Sequence, residues 1–177
     1  MIREAYDVRD FQITAGPAWL DTDRFDIRAK AKEGVSTRQM KTLLQALLAD
    51  RFQLRLHRET KELPVYTLSV AKNGAKFREA TADDQHTTAA GPGEITDHGV
   101  AIPIFIKQLS GLVDRAVVDQ TGLKGSYDLN LQWTREQDTG PSLFTALEEQ
   151  LGLKLSGGKG PVEILVIDHV VRVPIEN

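Results

Sequence analysis

The stretch Ser36-Thr-Arg-Gln-Met-Lys-Thr-Leu-Leu-Gln-Ala-Leu-Leu-Ala-Asp-Arg-Phe-Gln-Leu-Arg-Leu-His-Arg-Glu59 changes period in its middle, and that change decides the fold class. Met40, Leu43, Leu44, Leu47 and Leu48 recur at i, i+3, i+4, i+7 and i+8, the stripe of an amphipathic helix over residues 36–51. Ser36 with Gln39 fits a capping box at its start. From Phe52 the apolar residues Phe52, Leu54 and Leu56 alternate with Gln53, Arg55 and His57, the pattern of a half-buried strand. Pro64 opens a second strand over 65–71, because the first strand position needs no ladder donor.

The same order recurs further along. Leu143, Leu147 and Leu151 form a second helical stripe, with Pro141 suited to its first position and Gly152 to the residue past its end. Leu153-Lys-Leu155 repeats Leu54-Arg-Leu56, and Pro161-Val-Glu-Ile-Leu-Val-Ile167 repeats Pro64-Val-Tyr-Thr-Leu-Ser-Val70. Asp23-Arg-Phe-Asp-Ile27 matches Gly125-Ser-Tyr-Asp-Leu129, and residues 8–13 match 113–118. These landmarks predict an α+β fold. Its unit is a tandem duplication of a helix-strand-strand-helix-strand-strand module, with helices on one face of each sheet. Residues 1–72 form the first copy, 73–98 a polar flexible linker, and 99–177 the second copy. The second copy has a leading strand over 99–102 before a helix over 103–113; the first reads as lacking that opening strand. Leu43, Leu44, Leu47, Leu54, Leu56, Leu68, Val70, Leu147, Leu151, Leu153, Leu165 and Ile167 are the expected core.

Composition narrows the function classes. Of the 177 residues, 41% are hydrophobic and 27% charged, as in soluble globular proteins. The net charge of −3 argues against a general nucleic-acid binder. The absence of cysteine excludes disulfides, thiolate catalysis and cysteine metal sites. No apolar run approaches the ~20 residues of a membrane span, so no membrane insertion is expected, and residues 1–10 hold no signal-peptide stretch.

No string carries an evident catalytic constellation. In Val118-Asp-Gln-Thr-Gly-Leu-Lys-Gly-Ser-Tyr-Asp128, Gly122 and Gly125 bracket a turn whose amides Asp119 and Thr121 can bond; Tyr127 and Asp128 follow. A ligand loop and a plain strand connection both fit, the second better. Gly157-Gly-Lys-Gly160 lacks the upstream glycine and the following hydroxyl of a phosphate loop and reads as a hairpin turn. The four histidines lack zinc-protease spacing, so neither metal nor cofactor is expected. Arg55, His57 and Arg58 sit on a basic strand, the charge pattern of a protected edge or of a surface for an acidic partner. The strand at 161–167 is apolar on both faces, so Ile164 and Val166 are expected either to pack internally or to form an interaction patch.

Three strings carry a family resemblance: the one over 43–66, the one over 117–128, and Leu151-Gly-Leu-Lys-Leu155 with the segment 161–169. They resemble the bacterial family called domain of unknown function 3738, abundant in soil bacteria, and residues 15–27 fit its N-terminal part. The resemblance implies an exported protein, periplasmic or secreted, and brings no catalytic residues with it. Some members are joined to a membrane zinc metallopeptidase, which implies a sensor role. Each repeat is also weakly similar to the small N-terminal signalling domains of secretins and TonB-dependent receptors, which bind proteins. The expected function is a non-catalytic extracytoplasmic binding or sensing module with a protein partner at a strand edge or apolar patch. The alternatives are a hydrolase of cell-wall or plant polymers, built from Asp119, Asp128, His57, Glu59 and Asp168, and a regulatory domain of a metallopeptidase.

Overall fold

A computed structural model describes residues 1–28, 30, 34–81, 86–134 and 140–175. The chain is α+β and divides into two compact units, residues 1–62 with 161–177, and residues 63–160. The boundaries fall inside two long strands, so each unit takes part of its sheet from each of them.

In the first unit, α1 (Ile2–Tyr6) leads through a short 3-10 turn (Asp10–Gln12) to β1 (Ile13–Thr14), then to α2 (Trp19–Thr22) and α3 (Thr37–Phe52). The capping box of α3 forms as the sequence predicts, Ser36 accepting from Gln39 N and the Gln39 side chain accepting from Ser36 N. Past α3, β2 (Arg55–Val70) begins, and the end of β8 (Leu153–His169) returns beside it. The order here is β1-β8-β2, with β1 parallel to β8 and Ile13 opposite Leu165. Gln12 ties the two further, its amide donating to the Glu163 carbonyl at 2.9 Å. Ala5, Leu48, Phe52, Leu54 and Ile167 form the core.

In the second unit, β2 continues into β3 (Arg78–Glu79), β4 (Thr87–Gly91), β5 (Glu94–Ala101), α4 (Ile102–Leu112), β6 (Ala116–Asp119) and β7 (Ser126–Gln132). Then come α5 (Leu143–Ala146), a π turn (Leu147–Leu151) and the start of β8. One sheet runs β8-β2-β6, with β6 parallel to β2; the other runs β3-β7-β5-β4, all antiparallel. Gly158 lies against Thr67 and Gly160 against Val65, so β8 runs opposite to β2. Phe105, Leu109, Leu129, Leu131, Leu147 and Leu153 are among its fully enclosed core residues.

The structure departs from the sequence reading at several points. The two strands expected over 52–59 and 65–71 are one sixteen-residue strand, β2. Pro64 lies one residue before the β6 ladder starts at Val65, so its missing donor interrupts no pairing there. Leu153 to Leu155 and the 161–167 segment are likewise one strand, and Gly157-Gly-Lys-Gly160 makes no hairpin. A Cβ on Gly160 would come within 3.3 Å of Val65 Cγ2, so this glycine permits close strand approach instead of a turn. Where a linker is expected over 73–98, the chain forms β3, β4 and most of β5; residues 82–85 lie outside the described residues. Pro92-Gly93 turns the β4–β5 hairpin, Gly93 at φ 85°, as a proline–glycine turn requires. Ser142, not Pro141, meets the start of α5, accepting from Thr145 N. Residues 23–27, which the sequence sets against 125–129, form no strand. Leu43 is 48% exposed, and Leu44, Leu47, Leu56 and Val70 are half-buried, so α3 buries a narrower stripe than expected.

Two consequences are measurable. Leu48→Ala should cost about 2–5 kcal/mol in a urea titration, whereas Leu43→Ala should cost less than ~1 kcal/mol. The residues that end the two helices before β2 and β8, Gln53 and Gly152, both adopt the left-handed conformation, with φ 48° and 63°. Gln53→Gly should therefore raise stability by about 0.5–1 kcal/mol. Gly152→Ala should lower it, because the new Cβ would meet the Gly74 carbonyl oxygen.

Candidate functional site

A broad concavity lies in the first unit. It encloses about 760 Å³ between α1, the 13–17 turn, α2, the 23–27 segment and the end of α3. Trp19, Phe25, Ile27, Ile2, Leu20 and Phe52 supply its apolar wall. Phe25 packs edge-on against Phe52 at 5.2 Å and Trp19 at 6.1 Å, yet stays 39% exposed; Ile27 is 36% exposed. Arg3, Asp10 and Asp23 edge the groove, Arg3 bound to Asp10 at 2.9 Å and Asp23 to Arg172 at 2.7 Å. No motif in the sequence marks this place. Its one signal is the aromatic–Asp–aliphatic string Phe25-Asp-Ile27.

The second arrangement is on β2 and β8 of the same unit. His57 Nδ1 lies 2.9 Å from Asp168 Oδ1, and His57 Nε2 lies 3.0 Å from Glu59 Oε1; Lys61 pairs with Glu59 at 3.2 Å. Of the five residues that a hydrolase reading would need, folding unites His57, Glu59 and Asp168. Asp119 and Asp128 belong to the other unit. The hydrogen bonds to Asp168 and then Glu59 raise the pKa of His57, and the bond from His57 and then Lys61 lowers that of Glu59. All three side chains are open to solvent. With a carboxylate at each ring nitrogen, both nitrogens are engaged and neither is free for a substrate or water in this arrangement.

The remaining predicted residues divide cleanly. Arg55 is exposed, and Arg58 pairs with Glu163. Ile164 is 3% exposed and Val166 half-buried opposite Thr14, so neither forms an open patch. In the turn string, Asp119 Oδ1 accepts from Thr121 N and its hydroxyl, both at 2.8 Å, and Thr121 Oγ1 accepts from Leu123 N at 3.1 Å. Gly122 takes φ 71°, and Gly125 N donates to the Tyr127 hydroxyl. These bonds close the turn and leave little to offer a ligand. Asp128 accepts from Gly99 N at 3.0 Å and pairs with Arg78, with His98 at 3.7 Å; the Gly99 bond leads in lowering its pKa. Among the described residues, no group of three or more acidic or histidine side chains could hold a metal ion, and no helix is long and apolar enough to cross a membrane.

The His57 contacts give a pH signature. His57 contributes stability fully below about pH 6.5, and that contribution is lost as pH rises through its raised folded value. Glu59 contributes above its ordinary value of 4.5, and loses this as pH falls through its lowered folded value. An NMR titration should place the His57 midpoint above that of a free histidine. Asp168→Asn should bring it back toward the free value; an unchanged midpoint would remove Asp168 as the cause.

Comparison with known proteins adds one finding. No curated protein and no solved structure matches the chain. A family model, described as a protein of unknown function (DUF3738), matches residues 1–170. That match spans both compact units and every string on which the sequence resemblance rests, and the chain belongs to the DUF3738 family.

Proposed function

We propose that the protein is a non-catalytic binding or sensing module that works outside the cytoplasm and recognises a protein partner through the groove of its first unit. The observation that carries this reading is the groove itself. Its volume is in the range of ligand sites, and its wall exposes Phe25 and Ile27, side chains that a finished core would enclose. Apolar surface held open in this way is retained where a partner covers it. The extracytoplasmic location, and the likeness to secretin and TonB-receptor signalling domains, rest on resemblance alone.

The duplication is part of the same proposal. Two features support it: α3, left-handed Gln53 and β2 are matched by α5 with its π turn, left-handed Gly152 and β8. β1 lies parallel to β8 just as β6 lies parallel to β2. Paired binding modules of this size suit interaction with another protein. The hydrolase alternative has the His57 cluster in its favour, but both ring nitrogens there are already engaged.

The experiment is selection of phage-displayed random peptides on the immobilised full chain, repeated on Phe25→Asp. We expect sequences enriched on the wild type that lose at least tenfold in affinity on the variant. Enriched peptides that bind both proteins equally would place binding elsewhere, and no enrichment at all would remove the peptide-binding reading. Circular dichroism melts of both proteins ensure that a folded variant is compared.

A further inference from the structure

An aromatic–Asp–aliphatic pattern occurs in two environments. In the second unit Tyr127-Asp-Leu129 lies on β7 between β5 and β3, and Tyr127 and Leu129 are 7% and 1% exposed. Val100 of β5 sits opposite Tyr127, and Asp97 opposite Leu129. In the first unit Phe25-Asp-Ile27 pairs with no strand of the described residues, and among the described residues no backbone–backbone hydrogen bond is formed by residues 24–28. An unpaired run of backbone donors and acceptors beside an apolar groove is the geometry that accepts an added strand.

The same repeat alignment adds a charge to the picture. Asp97 is fully buried, and its Oδ1 accepts from Gln108 of α4 at 3.1 Å. With residues 8–13 set against 113–118, the counterpart of Gln108 is Arg3 of α1. Arg3 lines the groove, and its exposed pair with Asp10 is the kind that contributes little and exchanges readily. A carboxylate placed on a docked strand as Asp97 is placed on β5 would meet a guanidinium. Every described strand of this chain already sits in a sheet, so none of them is the occupant.

We infer that the groove seats an extended strand of another polypeptide, its apolar residues packing over Phe25 and Ile27, its backbone pairing with residues 24–28, and an inward-facing acidic residue meeting Arg3. This rests on the reading of the groove as the binding site and names what it takes.

The test titrates the full chain, carrying Trp133→Phe so that Trp19 on the groove wall is the sole tryptophan, with an end-blocked peptide of sequence Glu-Ile-Thr-Asp-His-Gly-Val-Ala, that of residues 94–101. We expect a saturable Trp19 signal and at least tenfold slower amide exchange across residues 24–28, the latter measured on the wild type as well. N-methylation of alternate peptide amides should weaken binding at least tenfold. Lysine in place of the peptide's aspartate should do the same, and Arg3→Glu should restore binding of the lysine peptide. Equal binding of the N-methylated peptide overturns backbone pairing. Equal binding of the lysine peptide overturns the role of Arg3. Peptide protection confined to the second unit, or self-association that fills the groove, overturns the inference. If the peptide fails while selected phage peptides still depend on Phe25, the strand inference falls and the binding-site reading stands. If both fail, both fall.

Discussion

The backbone of two long strands sets the terms for everything else. β2 and β8 are sixteen and seventeen residues long and lie side by side in opposite directions. Their peptide groups need partners wherever they leave water, and both strands run on through Pro64 and through Gly157-Gly-Lys-Gly160, positions that in isolation favour a break. Side chains then follow from strand alternation. Leu54 and Ile167 enter the core of the first unit; Leu68, Leu153 and Leu155 enter that of the second. Each unit needs part of both strands.

The two units differ in how completely they enclose their apolar residues. In the second, a four-stranded antiparallel sheet covers Tyr127 and Leu129, and the α5 residues Leu143 and Ala146 and the π-turn residues Leu147 and Leu151 are all buried. In the first, the end of α3 buries Leu48 and Phe52 while Leu43 and Met40 stay exposed, and Phe25 and Ile27 edge an open groove. Among the described residues the string Phe25-Asp-Ile27 pairs with no strand, and its side chains remain partly in water.

Polar chemistry in the chain is largely directed inward, toward its own backbone. Asp119 and Thr121 close a turn, Asp128 fastens Gly99 and Arg78, and Ser36 and Ser142 cap helices. The His57, Glu59 and Asp168 contacts join β2 to β8 and answer to pH. In these contacts the titratable groups serve the fold.

Local sequence determined what local physics can determine. The 3.6-residue period and the Ser36–Gln39 box set α3 to within a residue, Gly152 announced a helix end, and the α+β class followed from the switch of period at Phe52. Only the tertiary structure decided the rest. Ala89-Ala-Gly-Pro-Gly93 has no apolar periodicity, yet it forms a hairpin because β5 finds β7, a pairing set by residues thirty positions apart. The fusion of two expected strands into one, at Pro64 and again at Gly157–Gly160, depended on a neighbour distant in sequence. His57 met Asp168 for the same reason, across 111 positions. Periodicity records which face of an element is apolar; it does not record what lies opposite.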